Sequence, residues 1–161
     1  MARLIGAQLP GARLYSSDGH TVELPRLTDN PLLICLYPGD SEEDERSLTP
    51  TSCQVQRAGL REHALDLAAF GVKVVGISCE PHELQTGLAR VEQLPFPLLS
   101  DRECALADAL ELPTFDDFGV RRYQRLSLIA RRGTIEAVFY PVSPKRAAVQ
   151  ALTWLERRGL A

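Results

Sequence analysis

Four of the 161 residues are cysteines: Cys35, Cys53, Cys79 and Cys104. Cys53 stands where a cysteine can do chemistry. It ends the stretch Thr49-Pro50-Thr51-Ser52-Cys53, between an unbroken apolar run, Leu32 to Tyr37, and a helical pattern that begins near Cys53 itself. The first turn of a helix offers unpaired N–H groups and the positive end of the helix dipole. Both favour thiolate over thiol and can bring a cysteine well below its free pKa of about 8.5. The thiolate is the nucleophile.

The other three cysteines are spaced widely and irregularly. There is no CxxC pair, and only three histidines (His20, His63, His82) are available, which argues against a zinc site. Cys35 lies inside the apolar run and reads as core. Cys79 ends a strand beside that of Cys35, and chemistry in such sheets gathers at the carboxyl ends of strands. Cys104 opens a short helix after another strand. His63 would lie about 15 Å along the helix from Cys53, at 1.5 Å per residue, and reads as surface.

The elements that position these residues follow from pattern. Residues 12–24 read as a hairpin around Asp18-Gly19. Leu32 to Tyr37 is apolar throughout, as expected of a strand buried on both faces. Asp40 to Arg46 is an acidic run read as a solvated loop. From Cys53 the period changes to 3.6, with Val55, Leu60, Ala64, Leu67 and Ala68 on one side and Gln56, Arg57, Arg61, Glu62 and Asp66 elsewhere, in one helix closed by Gly71. Val72 to Ser78 is a second strand, parallel to the first in a βαβ unit. A helix over 81–93, a short strand over 96–100 and a short helix over 103–111 capped by Asp101 come next. Pro113 to Gly119 reads as loop. Strands over 125–130 and 134–140 form a hairpin at Arg132-Gly133, and the chain ends in an amphipathic helix over 144–157 anchored by Trp154.

Composition bounds the function. The chain is 45% apolar and 24% charged, with a net charge of -3. Nothing in that balance suits nucleic acid or an anionic membrane surface, which want a basic face. Met1 to Pro10 lacks an apolar core of signal-peptide length, and no apolar run is long enough to span a bilayer. The expectation is one soluble cytoplasmic domain over 1–161.

The order of segments is similar to the peroxiredoxins of the AhpC/TSA superfamily, nearest the peroxiredoxin Q or bacterioferritin-comigratory branch. The resemblance is carried by Leu36-Tyr37-Pro38, Thr49-Pro50 before Cys53, Leu60-Arg61-Glu62-His63, Val74-Val75-Gly76-Ile77-Ser78, Leu94 to Asp101, Leu112-Pro113-Thr114-Phe115 and Arg125-Leu126-Ser127-Leu128. It implies a thioredoxin-like α/β fold: a mixed central sheet flanked by helices on both faces, with an N-terminal β-hairpin extension. It implies a thiol-dependent peroxidase, reducing hydrogen peroxide or organic hydroperoxides through a cysteine sulfenic acid. Thioredoxin or a similar dithiol would recycle it, with no metal or organic cofactor, in a monomer or weak dimer. Cys53 matches the peroxidatic cysteine and Arg125 the guanidinium that stabilises thiolate and leaving oxygen.

Two departures from the family pattern stand out. Pro38 lies fifteen residues before Cys53, so the intervening loop is longer than in the family. The residue three before Cys53 is Pro50 rather than threonine; of its neighbours, Thr49 is favoured over Thr51 for the hydroxyl role. Ala58 stands where many relatives carry a resolving cysteine, which leaves Cys79 as first candidate for that role, then Cys104, or an outside thiol. The alternative is a catalytically weakened module of the same fold that binds or senses redox state.

Overall fold

The computed structural model describes residues 1–40 and 48–158. Seven strands form one mixed sheet in the order β2-β1-β5-β4-β3-β8-β9. Its centre is β3 (Leu32–Leu36), every residue of which is buried. β3 runs parallel to β4 (Lys73–Ser78) on one side and antiparallel to β8 (Leu126–Arg131) on the other. β4 continues parallel to β5 (Leu98–Ser100), and the hairpin of β1 (Arg13–Ser16) and β2 (Thr21–Glu23) extends that edge. β9 (Thr134–Phe139) closes the other edge.

Successive strand residues point to opposite faces, so a central strand covered on both sides must be apolar at every position. Ile34, Leu36, Val75 and Ile77 join one core with Leu24, Leu106 and Tyr123. Leu33, Cys35 and Val74 join a second core with Leu60, Leu67, Ala151 and Leu155. The helices that cover this second face are α1 (Ser52–Glu62), α2 (Ala64–Ala69) and α5 (Ala147–Arg158). Leu88 and Ala89 of α3 (His82–Val91) pack against the same core. The short α4 (Ala105–Leu110) covers the first face. No helix among the described residues is long and apolar enough to cross a membrane.

Three sequence expectations need correction. The helix over 53–70 is two helices, because His63 leaves helical geometry (φ -102, ψ 9) and its N–H is shared between the carbonyls of Arg61 and Gly59. Gly71 does close the second one: it sits at φ 75, and the N–H groups of Gly71 and Val72 cap Ala68 and Leu67. The segment read as loop after Pro113 is a two-stranded ribbon, β6 (Thr114–Asp117) with β7 (Val120–Tyr123). It turns at Phe118-Gly119, both at positive φ. Finally, Gln56 and Arg57, which the helical pattern places off its apolar side, are buried as well. Of the acidic run, only Asp40 falls within the described residues.

Candidate active site

Thr51 starts α1 with a capping box. Its hydroxyl oxygen accepts the Gln54 N–H (3.1 Å), and the Gln54 side chain accepts the Thr51 N–H (2.8 Å). That pins Cys53 in the first turn, directly above the end of β3. The sequence T-x-x-Q is the signal for this cap, and it moves the helix start ahead of Cys53.

Arg125 reaches the site from the residue preceding β8. Because β8 lies antiparallel beside β3, its start meets the end of β3, where α1 begins. One Arg125 Nη2 donates to Cys53 Sγ at 3.4 Å and to Ser52 Oγ at 2.5 Å, while Nη1 donates to Gln56 Oε1 at 2.5 Å. Gln56 thus fixes the fork from the next turn of α1. The neighbouring arginines go elsewhere: Arg121 pairs with Asp108 at 2.8 Å. Arg122 pairs with Asp117 at 2.9 Å and donates to the Pro38 carbonyl, joining the β6–β7 ribbon to the loop before the site.

A buried ionic layer lies beside the thiol. Arg57, 1% exposed, grips Glu92 with two bonds of 2.8 and 2.9 Å and faces Asp40 at 3.8 Å. Its guanidinium stands over the Tyr37 ring, 5.7 Å from the centroid. Asp40 accepts the Thr51 hydroxyl (2.8 Å), and the Asp40 N–H donates to Glu80 (3.3 Å). Glu80 in turn accepts the Ser78 hydroxyl at 2.9 Å. Gly39 is required here: a Cβ on it would meet the Glu80 side chain at 2.6 Å. Periodicity hid this layer, since arginine counts as polar and its acidic partners lie far along the chain.

Burial is the largest influence on the Cys53 thiol and pushes its pKa up from the ordinary value; the Arg125 charge and hydrogen bond act against it. The sequence expectation was a net pull downwards. The difference is desolvation, because Cys53 is only 2% exposed. Cys35 is fully buried, and burial pushes its thiol up to about 12, consistent with a core role.

Cys79 and Cys104 are joined as a disulfide, with their Cα atoms 6.1 Å apart. Both pack on the first core, across the sheet from the helices that carry Cys53. Thr49 lies exposed in the turn before the cap, and the Thr51 hydroxyl is engaged with Asp40. Among the described residues no three His, Cys, Asp or Glu side chains come together as a metal site. A cavity of about 580 Å³ lies at the other end of the strands, lined by Asp29, Lys73 and Pro97 among others, away from Cys53.

The family model of AhpC/TSA proteins matches residues 5–138. The chain belongs to the AhpC/TSA family. Among its relatives, Peroxiredoxin Bcp of Escherichia coli (strain K12) is 31% identical over 151 residues, covering 91% of this chain and 92% of that one. The chloroplastic Peroxiredoxin Q of Populus jackii is 26% identical, over 83% of this chain and 59% of its own length. The fold superposes on the crystal structure of Mycobacterium tuberculosis BcpB with a TM-score of 0.79 at 24% identity, covering 95% of this chain and 96% of that one. As an AhpC/TSA member of the peroxiredoxin Q and Bcp branch, the protein is a peroxiredoxin, a thiol-dependent peroxidase.

Proposed function

We propose that Cys53 is the peroxidatic nucleophile of this peroxidase and Arg125 the guanidinium that serves it. The observation that carries the reading is the single Arg125 nitrogen placed 3.4 Å from Cys53 Sγ at the start of α1. The Cys53 thiolate attacks one oxygen of hydrogen peroxide or an organic hydroperoxide. The O–O bond breaks, the other oxygen leaves as water or alcohol, and Cys53 becomes a sulfenic acid. Negative charge spreads over sulfur and both oxygens during the transfer, and fixed donors aimed at that charge lower the barrier. Arg125 supplies a fork that is always charged. The hydroxyl for the peroxide is assigned to Thr49, which belongs to the Thr49-Pro50 pair that carries the family resemblance.

The reading includes one domain over 1–161, acting in the cytoplasm as a monomer or weak dimer, with electrons returned by thioredoxin or a similar dithiol. The test is peroxide consumption by the reduced protein with a dithiol donor. Cys53→Ser abolishes turnover with either peroxide; a variant that keeps the wild-type rate sinks the assignment.

A further inference from the structure

We propose that Cys79 and Cys104 form a second redox centre that collects the oxidising equivalent from Cys53 and presents it to the external dithiol. The proposal rests on the assignment of Cys53 as the peroxidatic residue.

Three observations lead there. First, the four cysteines divide cleanly. Cys35 is sealed in the second core and bonded by Ser127, so it takes no part. Cys104 is 1% exposed, while Cys79 is half-buried and so the more accessible sulfur of the pair. Second, the backbones of Cys79 and Cys104 already stand at bonding separation, with Cα atoms 6.1 Å apart, within the ~4.4–6.8 Å range of disulfides. The pair therefore closes without rearrangement and is the resting place of the bond. In a reducing cytoplasm a permanent structural disulfide is out of place, whereas catalytic and transient ones are the rule.

Third, Cys79 lies at the carboxyl end of β4, beside the strand below Cys53. It is flanked in sequence by Ser78 and Glu80, and Glu80 is hydrogen-bonded through Asp40 to Thr51, the cap of α1. Hydrogen bonds thus link the segment of Cys79 to the cap of the helix that carries Cys53. Cys79 packs on the first core and α1 on the second, however, so transfer requires the first turn of α1 to unwind.

The steps balance. The Cys79 thiolate attacks the sulfur of the Cys53 sulfenic acid; the S–O bond breaks, hydroxide leaves and is protonated to water, and a Cys53–Cys79 disulfide forms. The Cys104 thiolate then attacks Cys79 Sγ; the Cys53–Cys79 bond breaks, Cys53 leaves as thiolate, and the Cys79–Cys104 disulfide remains. A dithiol reductant, attacking at the more exposed Cys79, takes up the two-electron oxidation and restores both thiols.

The experiment treats the reduced full chain with one equivalent of hydrogen peroxide, quenches with an alkylating agent at intervals and maps peptides by mass without reduction. In the wild type, oxidised Cys53 appears first and decays as the Cys79–Cys104 link accumulates, ending with Cys53 free. Cys104→Ser traps the Cys53–Cys79 link within one chain. Cys79→Ser holds Cys53 as a sulfenic acid, captured with dimedone. Cys53→Ser slows formation of the Cys79–Cys104 link at least tenfold.

Equal rates in Cys53→Ser and wild type overturn the proposal, as does a wild-type end point of oxidised Cys53 with Cys79 and Cys104 as thiols. A link between chains in Cys104→Ser also overturns it. If Cys53 stays unoxidised even in Cys79→Ser, the assignment of Cys53 itself fails. The wild-type time course needs no variant, so it decides the matter even where a substitution disturbs folding.

Discussion

In the proposed mechanism, Arg125 is the residue on which reactivity turns. Its fork touches Ser52, Cys53 and Gln56 at once, so its position and orientation are set by α1. Arg125→Lys keeps the charge but cannot hold all three contacts; a drop of about 10²–10³ in the rate of peroxide reduction follows, the scale for losing one oriented donor. The pH profile carries a second signature. Burial pushes the Cys53 thiol up and Arg125 opposes it, so the reactive thiolate grows as pH rises through and beyond the ordinary thiol range. Stopped-flow rates between pH 6 and 10, at about half-unit steps, should climb throughout. In Arg125→Met the climb shifts to still higher pH; an unshifted profile would show that Arg125 does not act on the thiol. The places of Cys53 at a helix start and of Arg125 at a strand start were legible in the sequence. Those of Gln56 and Arg57 were not, because a helical pattern sorts residues by polarity, and these two polar side chains are buried by neighbours remote along the chain.

At the scale of elements, the ionic layer fastens α1 to the end of α3. Arg57 belongs to the first and Glu92 caps the second, and the pair is nearly dry on the arginine side. Arg57→Met leaves the Glu92 carboxylate without its partner and costs about 3 kcal/mol, since a buried pair is far more costly to break than to replace. Arg57→Met with Glu92→Gln recovers a large part of the loss, as read from urea unfolding midpoints; equal losses in single and double variants would mean that the pairing is not the cause. The elements themselves were largely legible where pattern was strong. β3 followed from an unbroken apolar run and β4 from a mostly apolar one, and the turn at Arg132-Gly133 from its glycine. The β6–β7 ribbon was not legible: its strands are short and half-exposed, and its turn places Phe118, which is not a usual turn residue, at φ 51. The break at His63 likewise has no glycine or proline to announce it.

For the whole molecule, the two cores on either side of one sheet are what hold the strand ends beneath the site, and Cys35 ties stability to pH. Burial pushes its folded pKa up to about 12, well above the ordinary thiol value. The fold therefore favours the protonated thiol: this contribution is fully present below the ordinary thiol pKa of about 8.5 and is lost as pH rises from there towards about 12. Unfolding free energy should fall on that alkaline limb, and Cys35→Val should flatten it. An unchanged slope in the variant would assign the alkaline loss to other groups, such as Tyr37 and Tyr123, which burial also pushes up. The mixed sheet with helices on both faces followed from the order of segments; the partnership of Cys79 with Cys104 did not, since spacing along a chain does not determine which cysteines meet.

The contact between Arg125 and Cys53 spans 72 residues, and it exists only because β8 pairs with β3. On the ribosome, Cys53 emerges long before Arg125 is made. Until then no guanidinium stands beside it, and no neighbouring strand anchors the start of its helix from that side. If Cys53 and Arg125 act as proposed, peroxide reactivity is switched on late, by the docking of a strand from the last third of the chain. A ribosome stalled before residue 125 would thus display the cysteine without the enzyme.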